Sequence, residues 1–371
     1  MREQVIARLR PALEERGWDG LVVSSPENFA YLAGFVVPSH PLMRRRHAAV
    51  VLPAGGDPAV MCIGVEEAMV RQRTGAAEVA VWDEFGDDPM ACLAGLLERL
   101  GLSRGRLGVE LGYLPAADFA RLREAAPGVE WVAADRWLGR QRQVKTREEL
   151  ELLARLSRIS DASIGMALRA VKPGDTEMEI AAALTDGIYR GGAEDFKLMI
   201  VATGPRSQLA NVGPTERVLE AGDVCRVEIF AVAEGYHAGV CRTAAVGIPP
   251  PEAVEIWANL VECRDVLLDA IRPGVSSRSV WDRFEDVCGP LGLPLFSFVG
   301  HGIGLSLHER PYISPRHDQI LEEGMVFGVE PLIYDTGHGF GLQLKDMVEV
   351  TARGARLLSD VNDNRELIAV G

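Results

Sequence analysis

Two histidines, His301 and His308, lie in the glycine-rich run Gly300-His301-Gly302-Ile303-Gly304-Leu305-Ser306-Leu307-His308-Glu309-Arg310-Pro311, and Glu330 follows in Val329-Glu330-Pro331. Imidazole is the usual general acid–base near neutral pH, so this composition fits an active-site floor that moves protons. A second glutamate belongs with the first. Leu219-Glu220-Ala221-Gly222-Asp223-Val224-Cys225-Arg226-Val227-Glu228 aligns without gaps to Leu321-Glu322-Glu323-Gly324-Met325-Val326-Phe327-Gly328-Val329-Glu330. Both segments begin with an acidic-glycine turn and run into an apolar strand ending in glutamate. A duplicated supersecondary unit places Glu228 and Glu330 on equivalent strands facing one cleft.

The elements that must position these groups are legible from periodicity and capping. Up to about Arg140 the chain alternates helices and strands. Val5 to Arg16 is an amphipathic helix, and Gly20 to Ser24 a short buried strand. Ser25 is the N-cap of a second helix, with Pro26 at its first position. Strands follow at His47 to Leu52 and Pro58 to Cys62, and the helix–strand pairs end near Val129 to Val132. A boundary falls near Gln141 to Lys145, giving domains at 1–140 and 141–371. Thr146-Arg147-Glu148-Glu149 has the capping-box form and opens a long helix towards Arg169, and Thr176-Glu177-Met178-Glu179 starts another. The expected class is α/β, an N-terminal layer domain followed by a duplicated αβ domain.

Composition narrows the partners. The chain has 371 residues, 39 basic against 53 acidic, for a net charge of −14. That balance argues against nucleic acid and anionic membranes. No apolar run reaches the length of a membrane span, and the N-terminus lacks the apolar core of a signal peptide. Six scattered cysteines without a Cys-x-x-Cys pair read as reduced thiols of a cytoplasmic protein. Cys225 and Cys241 lie on the strand pair that carries Glu228. They read as core residues before they read as nucleophiles.

The histidine run and the paired glutamates resemble the "pita-bread" superfamily of Xaa-Pro peptidases, methionine aminopeptidases, creatinase and ectoine hydrolase. The resemblance to creatinase-type members covers both halves. It implies a small creatinase-type N-terminal α/β domain and a pita-bread catalytic domain with a pseudo-twofold αβ duplication. Metallopeptidases of the family hold two divalent metals with two aspartates, one histidine and two glutamates. Those positions fall here on Glu228, Gly239, His301, Glu330 and Lys345. The two bridging ligands have thus become a glycine and a lysine, and Glu228 is longer than the usual aspartate. Asn211 stands where metallopeptidases and creatinase carry a histidine, and an amide cannot move a proton at neutral pH.

The resemblance therefore implies a framework with an altered site. Two cleft glutamates without bridged metals need a positive partner, which Lys345 is placed to supply. Its ammonium would neutralise Glu228, Glu330 or both. His308, at the position where the family contacts the scissile group, would shuttle protons with help from His301. Asn211, Tyr236 and His237 are candidate substrate contacts. In creatinase-type dimers an arginine reaches the neighbouring cleft and binds a substrate carboxylate, and Arg45 in Arg44-Arg45-Arg46-His47 is the best match.

The expected function is a hydrolase, or a lyase, acting without metal or other cofactor on a C–N bond of a small carboxylated molecule. Creatine-like and ectoine-like compounds are the nearest substrates, and the expected assembly is a homodimer. One alternative is an Xaa-Pro-type metallopeptidase with a degenerate single-metal site built from Glu228, His301 and Glu330. A non-catalytic binding protein on the same fold is the other.

Overall fold

The computed structural model describes residues 1–371. The chain divides into two compact units, Met1–Arg142 and Gln143–Gly371.

The first unit is built on six strands: β1 (Gly20–Val23), β2 (Ala49–Pro53), β3 (Ala59–Ile63), β4 (Val79–Trp82), β5 (Arg106–Val109) and β6 (Glu130–Ala133). They form one mixed sheet in the order β4-β3-β2-β1-β5-β6. Strands β1 to β3 are buried along their whole length, which explains why they read as continuous apolar runs rather than alternating ones. Helix Glu3–Glu14 starts two residues earlier than its periodicity suggests. Helix Pro26–Ala33 begins as expected: the Ser25 hydroxyl accepts the Asn28 N–H at 3.1 Å.

The second unit contains β7 (Asp195–Thr203), β8 (Val224–Ala233), β9 (Tyr236–Val246), β10 (Gly300–Gly302), β11 (Glu309–Ile313), β12 (Val326–Val329), β13 (Leu332–Ile333), β14 (Leu342–Gln343), β15 (Asp346–Thr351), β16 (Gly354–Leu357) and β17 (Ile368–Val370). One sheet runs β17-β9-β8-β7 and the other β11-β10-β12-β15-β16, with β13 and β14 paired separately. Two helix pairs accompany them, Arg147–Ala170 with Glu177–Arg190, and Pro251–Ala270 with Ser277–Cys288. The Thr146 capping box forms in both directions, with Glu149 N–H to Thr146 Oγ1 at 3.3 Å and Thr146 N–H to Glu149 Oε2 at 2.8 Å.

The duplication is visible in backbone detail. Gly222 and Gly324, the turn glycines of the two aligned segments, have φ of 91° and 86°. Each sits in the left-handed region that a side chain disfavours. The strand bridges Thr176↔Val218 and Ser276↔Ile320 repeat one contact in the two halves. The fold is thus an N-terminal creatinase-type α/β unit followed by a pita-bread unit with pseudo-twofold symmetry. A core that includes Val224, Trp257, Trp281, Phe327 and Val348 fills one half of the latter.

Candidate active site

Glu228, from the middle of β8, and Glu330, just after β12, come together on the ammonium of Lys345. Lys345 Nζ lies 3.1 Å from Glu228 Oε1 and 3.0 Å from Glu330 Oε2. All three residues are buried. Lys345 sits between β14 and β15, and its backbone is pinned to the other sheet. Its N–H donates to the Cys241 carbonyl, and Cys241 N–H donates back, each at 3.2 Å. The Arg242 Nη1 donates to the Lys345 carbonyl at 2.7 Å. The side chain therefore points into the site and not to solvent.

The electrostatics follow from that placement. Burial alone would push the Glu330 carboxyl up, but the Lys345 ammonium and His301 overcome it and hold it well below the usual carboxylate range. Burial would likewise lower Lys345, yet Glu228 and Glu330 raise it above the ordinary lysine value. Lys345 is an ammonium at any physiological pH.

His301 is fully buried on β10, and its Nδ1 lies 2.9 Å from the Gly302 carbonyl oxygen. A carbonyl only accepts, so Nδ1 carries a hydrogen, and in the neutral ring Nε2 keeps a lone pair. That Nε2 has no hydrogen-bond partner, and Glu330 Oε1 faces it at 3.4 Å. His308 is exposed and stacks on His301 with centroids 3.7 Å apart and planes 7° from parallel. Desolvation lowers the His308 pKa to about 4, helped by His301 and by Lys345 against the opposing pull of Glu330. His308 is thus neutral at pH 7. Phe298 and Tyr312 meet the histidine pair edge-on or tilted.

Three further residues complete the site, and none stood out in the sequence. The Gln343 amide donates to Glu228 Oε2 at 3.2 Å and to Glu330 Oε2 at 3.4 Å. Arg226 fixes its orientation, donating from Nη1 to Gln343 Oε1 at 2.9 Å while Nη2 donates to the Ala210 carbonyl at 2.8 Å. Phe230 places its ring 4.7 Å from Lys345 Nζ, a cation–π contact. A glutamine and a phenylalanine in strand-like sequence read as ordinary sheet residues. Only the fold reveals what they face.

The other residues singled out in the sequence fall outside this cluster. Tyr236 is buried, and its hydroxyl donates to Glu149 Oε1 at 2.7 Å, so it anchors the start of helix Arg147–Ala170 instead of meeting substrate. His237 donates its backbone N–H to the Gly304 carbonyl at 2.7 Å, fastening the turn between the two site histidines. Asn211 is exposed on the loop that Arg226 ties down. Arg45 is exposed on the turns before β2 in the first unit, and its neighbour Arg46 pairs with Glu84 at 2.7 Å. Cys225 and Cys241 are buried, and desolvation raises both thiols, which removes them as nucleophiles. Nor are all six cysteines reduced. Cys263 and Cys288, on neighbouring helices with Cα atoms 6.0 Å apart, form a disulfide.

Comparison with known proteins gives the scaffold its family. Residues 151–352 match metallopeptidase family M24, and residues 6–144 match the creatinase/prolidase N-terminal domain. The chain belongs to metallopeptidase family M24. The M24 chain is 33% identical over 373 residues to the protein named "Probable dipeptidase PepE" of Mycobacterium tuberculosis, covering 98% of this chain and 96% of that relative. It is similar to the crystal structure of dipeptidase PepE from Mycobacterium ulcerans, with TM-score 0.79, 31% identity and 99% and 97% of the two chains covered. Xaa-Pro dipeptidase from Bacillus anthracis matches with TM-score 0.84 at 26% identity over 99% of both chains.

These matches overturn two expectations, metal independence and a creatinase-like reaction. The family is one of metallopeptidases, and these relatives are named as dipeptidases. The site has a physical reason to agree. With His301 neutral, its Nε2 and the carboxylate oxygen facing it are two acceptors, an arrangement that a cation satisfies. His301, His308 and Glu330 offer ligand atoms that all lie within 4.8 Å of one another. Nitrogen and carboxylate donors of this kind suit a divalent ion. This set fits one ion. It does not fit a bridged pair, because Gly239 offers no donor and Lys345 holds the space between the two glutamates.

Proposed function

We propose that this M24 member is a peptidase for short peptides of the Xaa-Pro dipeptide class, working with one divalent ion held by His301, Glu330 and His308. The observation that carries the reading is the facing pair His301 Nε2 and Glu330 Oε1, buried 3.4 Å apart, with His301 Nε2 making no hydrogen bond. The names of the relatives support the peptide substrate. Glu228 leaves the donor set expected for a single-ion site, because both of its oxygens already accept from N–H groups of Lys345 and Gln343.

A divalent ion bound there supplies Lewis-acid polarisation of the scissile carbonyl and a water of lowered pKa. The residues of the chain do the rest. Glu330 holds its charge because Lys345 stabilises the carboxylate. Exposed His308, one of the three donors, can present the N–H of its other ring nitrogen to a peptide oxygen. The chain acts as a homodimer, with Arg45 of one subunit binding the substrate carboxylate at the other's site. The test is hydrolysis of a panel of Xaa-Pro dipeptides by protein loaded with Mn²⁺, Co²⁺ or Zn²⁺. Cleavage that a chelator abolishes and His301→Ala removes supports the reading; no cleavage at any loading contradicts it.

A further inference from the structure

The four carboxylate oxygens of Glu228 and Glu330 can be accounted for one by one. Glu228 Oε1 accepts from Lys345 Nζ at 3.1 Å, and Glu228 Oε2 accepts from Gln343 Nε2 at 3.2 Å. Glu330 Oε2 is shared by Lys345 Nζ at 3.0 Å and Gln343 Nε2 at 3.4 Å. Glu330 Oε1 alone receives nothing from Lys345 or Gln343, and it is the oxygen that faces His301 Nε2 at 3.4 Å. The pair of glutamates thus keeps an opening for a cation on one side alone.

The opposite side is closed by more than one device. The ammonium is fully buried and lies over the Phe230 ring. That ring also fills the place where residue 239 would carry a side chain: a Cβ on Gly239 would fall 2.1 Å from Phe230 Cε1, far inside contact distance. Gly328 leaves room for the lysine stem, since a Cβ there would lie 3.1 Å from Lys345 Cε and 3.3 Å from His301 Cε1. Gln343, held by Arg226, seals the remaining lone pairs. A surface salt bridge needs none of these supports. A permanent charge built between two buried carboxylates does, because every lone pair left over would carry a desolvation cost.

We propose that Lys345 is a covalent replacement for one cation: its ammonium occupies the place between Glu228 and Glu330, so the chain accepts at most one divalent ion and is closed to a second. The exclusion of the second ion stands on the lysine cradle alone, while occupancy of the first rests on the function proposed above. The replacement makes the charge on this side independent of metal supply. It also makes the remaining site a lone one, with an ammonium as its permanent neighbour.

Metal stoichiometry tests the proposal without reference to turnover. Wild type and Lys345→Met are dialysed to equilibrium against Mn²⁺ and the bound metal per folded chain is counted by mass spectrometry, with thermal midpoints read with and without Mn²⁺. The expected result is no more than one equivalent in the wild type and one equivalent more in Lys345→Met, whose midpoint rises with Mn²⁺ by more than that of the wild type. If Lys345→Met does not fold alone, Lys345→Glu refolded with Mn²⁺ serves, since three carboxylates then share one pocket and must recruit the missing cation. Two equivalents in the wild type overturn the proposal, as does a count that neither substitution changes. A wild type that binds none while the variants gain one upholds the replacement and removes the one-ion reading of function.

Discussion

His301 and His308 stack face to face, with ring centroids 3.7 Å apart and planes 7° from parallel. Two imidazoles so close cannot both be cationic without strong repulsion, and the Lys345 ammonium adds a third positive charge to the neighbourhood. Desolvation lowers the His308 pKa to about 4, and the neighbouring His301 and Lys345 add to the shift. In metal-free protein its ring NMR signals should therefore titrate near pH 4 and not near the ordinary 6.5. Lys345→Met removes one of the depressing charges, so the midpoint should move up. A midpoint near 6.5 in the wild type would contradict the stacked, neutral His308.

Replacing His308 by Gln keeps a polar side chain but loses the imidazole. If His308 meets the peptide in the reaction, turnover should fall roughly a hundredfold or more, the usual scale for a positioned proton-handling group. Thermal stability should stay close to wild type, because the ring is exposed. An equal loss of stability and turnover would point to a packing role.

Lys345→Met leaves two buried carboxylates without their cation. Breaking a buried pair in this way costs about 3–5 kcal/mol. The sign of the pH effect is fixed. The Glu330 carboxyl in the wild type lies well below its ordinary 4.5, so its stabilisation is complete above that value and is lost only in strong acid. Without the ammonium its pKa rises, and the acid unfolding transition should move to higher pH. Urea titrations of both proteins across pH 3 to 7 measure this directly.

How far the sequence reveals this site depends on the kind of residue. The aligned turns before Glu228 and Glu330 expose the duplication, because an acidic-glycine turn followed by an apolar strand has few other uses. The capping boxes at Thr146 and Thr176 mark helix starts for the same local reason. Lys345 is legible only through the family resemblance, because it stands where the family carries a bridging glutamate. Gln343 and Phe230 are silent: an amide and an aromatic ring in strand sequence fit any sheet, and only the register that faces them towards Glu228 gives them a role. Tyr236 misleads in the opposite way, its hydroxyl serving the helix cap residue Glu149 and not a ligand. The Cys263–Cys288 bridge joins two neighbouring helices through cysteines 25 residues apart, and no local spacing announces it.

A second buried ionic cluster should prove necessary for the fold. Arg242 pairs with Asp161 and with Asp346, each at 2.9 Å, and all three side chains are fully buried. The cluster ties helix Arg147–Ala170 to β9 and β15, next to the Lys345 backbone. Arg242→Met should cost about 3–5 kcal/mol in urea unfolding. A loss below 1 kcal/mol would mean that water or repacking compensates the two aspartates.

The first unit carries its own acid sensitivity. Burial lowers His40 to about 4, so the folded unit holds it neutral while the unfolded chain protonates near 6.5. Stability should fall as pH drops through that window, by about 3 kcal/mol at 1.36 kcal/mol per unit. His40→Gln should flatten the slope of stability against pH between 4 and 6.5, and an unchanged slope would assign the sensitivity elsewhere.

A peptidase site with room for one divalent ion is tested most directly by titrating metal-free protein with Mn²⁺ while following hydrolysis of an Xaa-Pro dipeptide. The rate should climb in proportion to added metal and level off at one equivalent per chain. A plateau at two equivalents, or no hydrolysis at any loading, would contradict it.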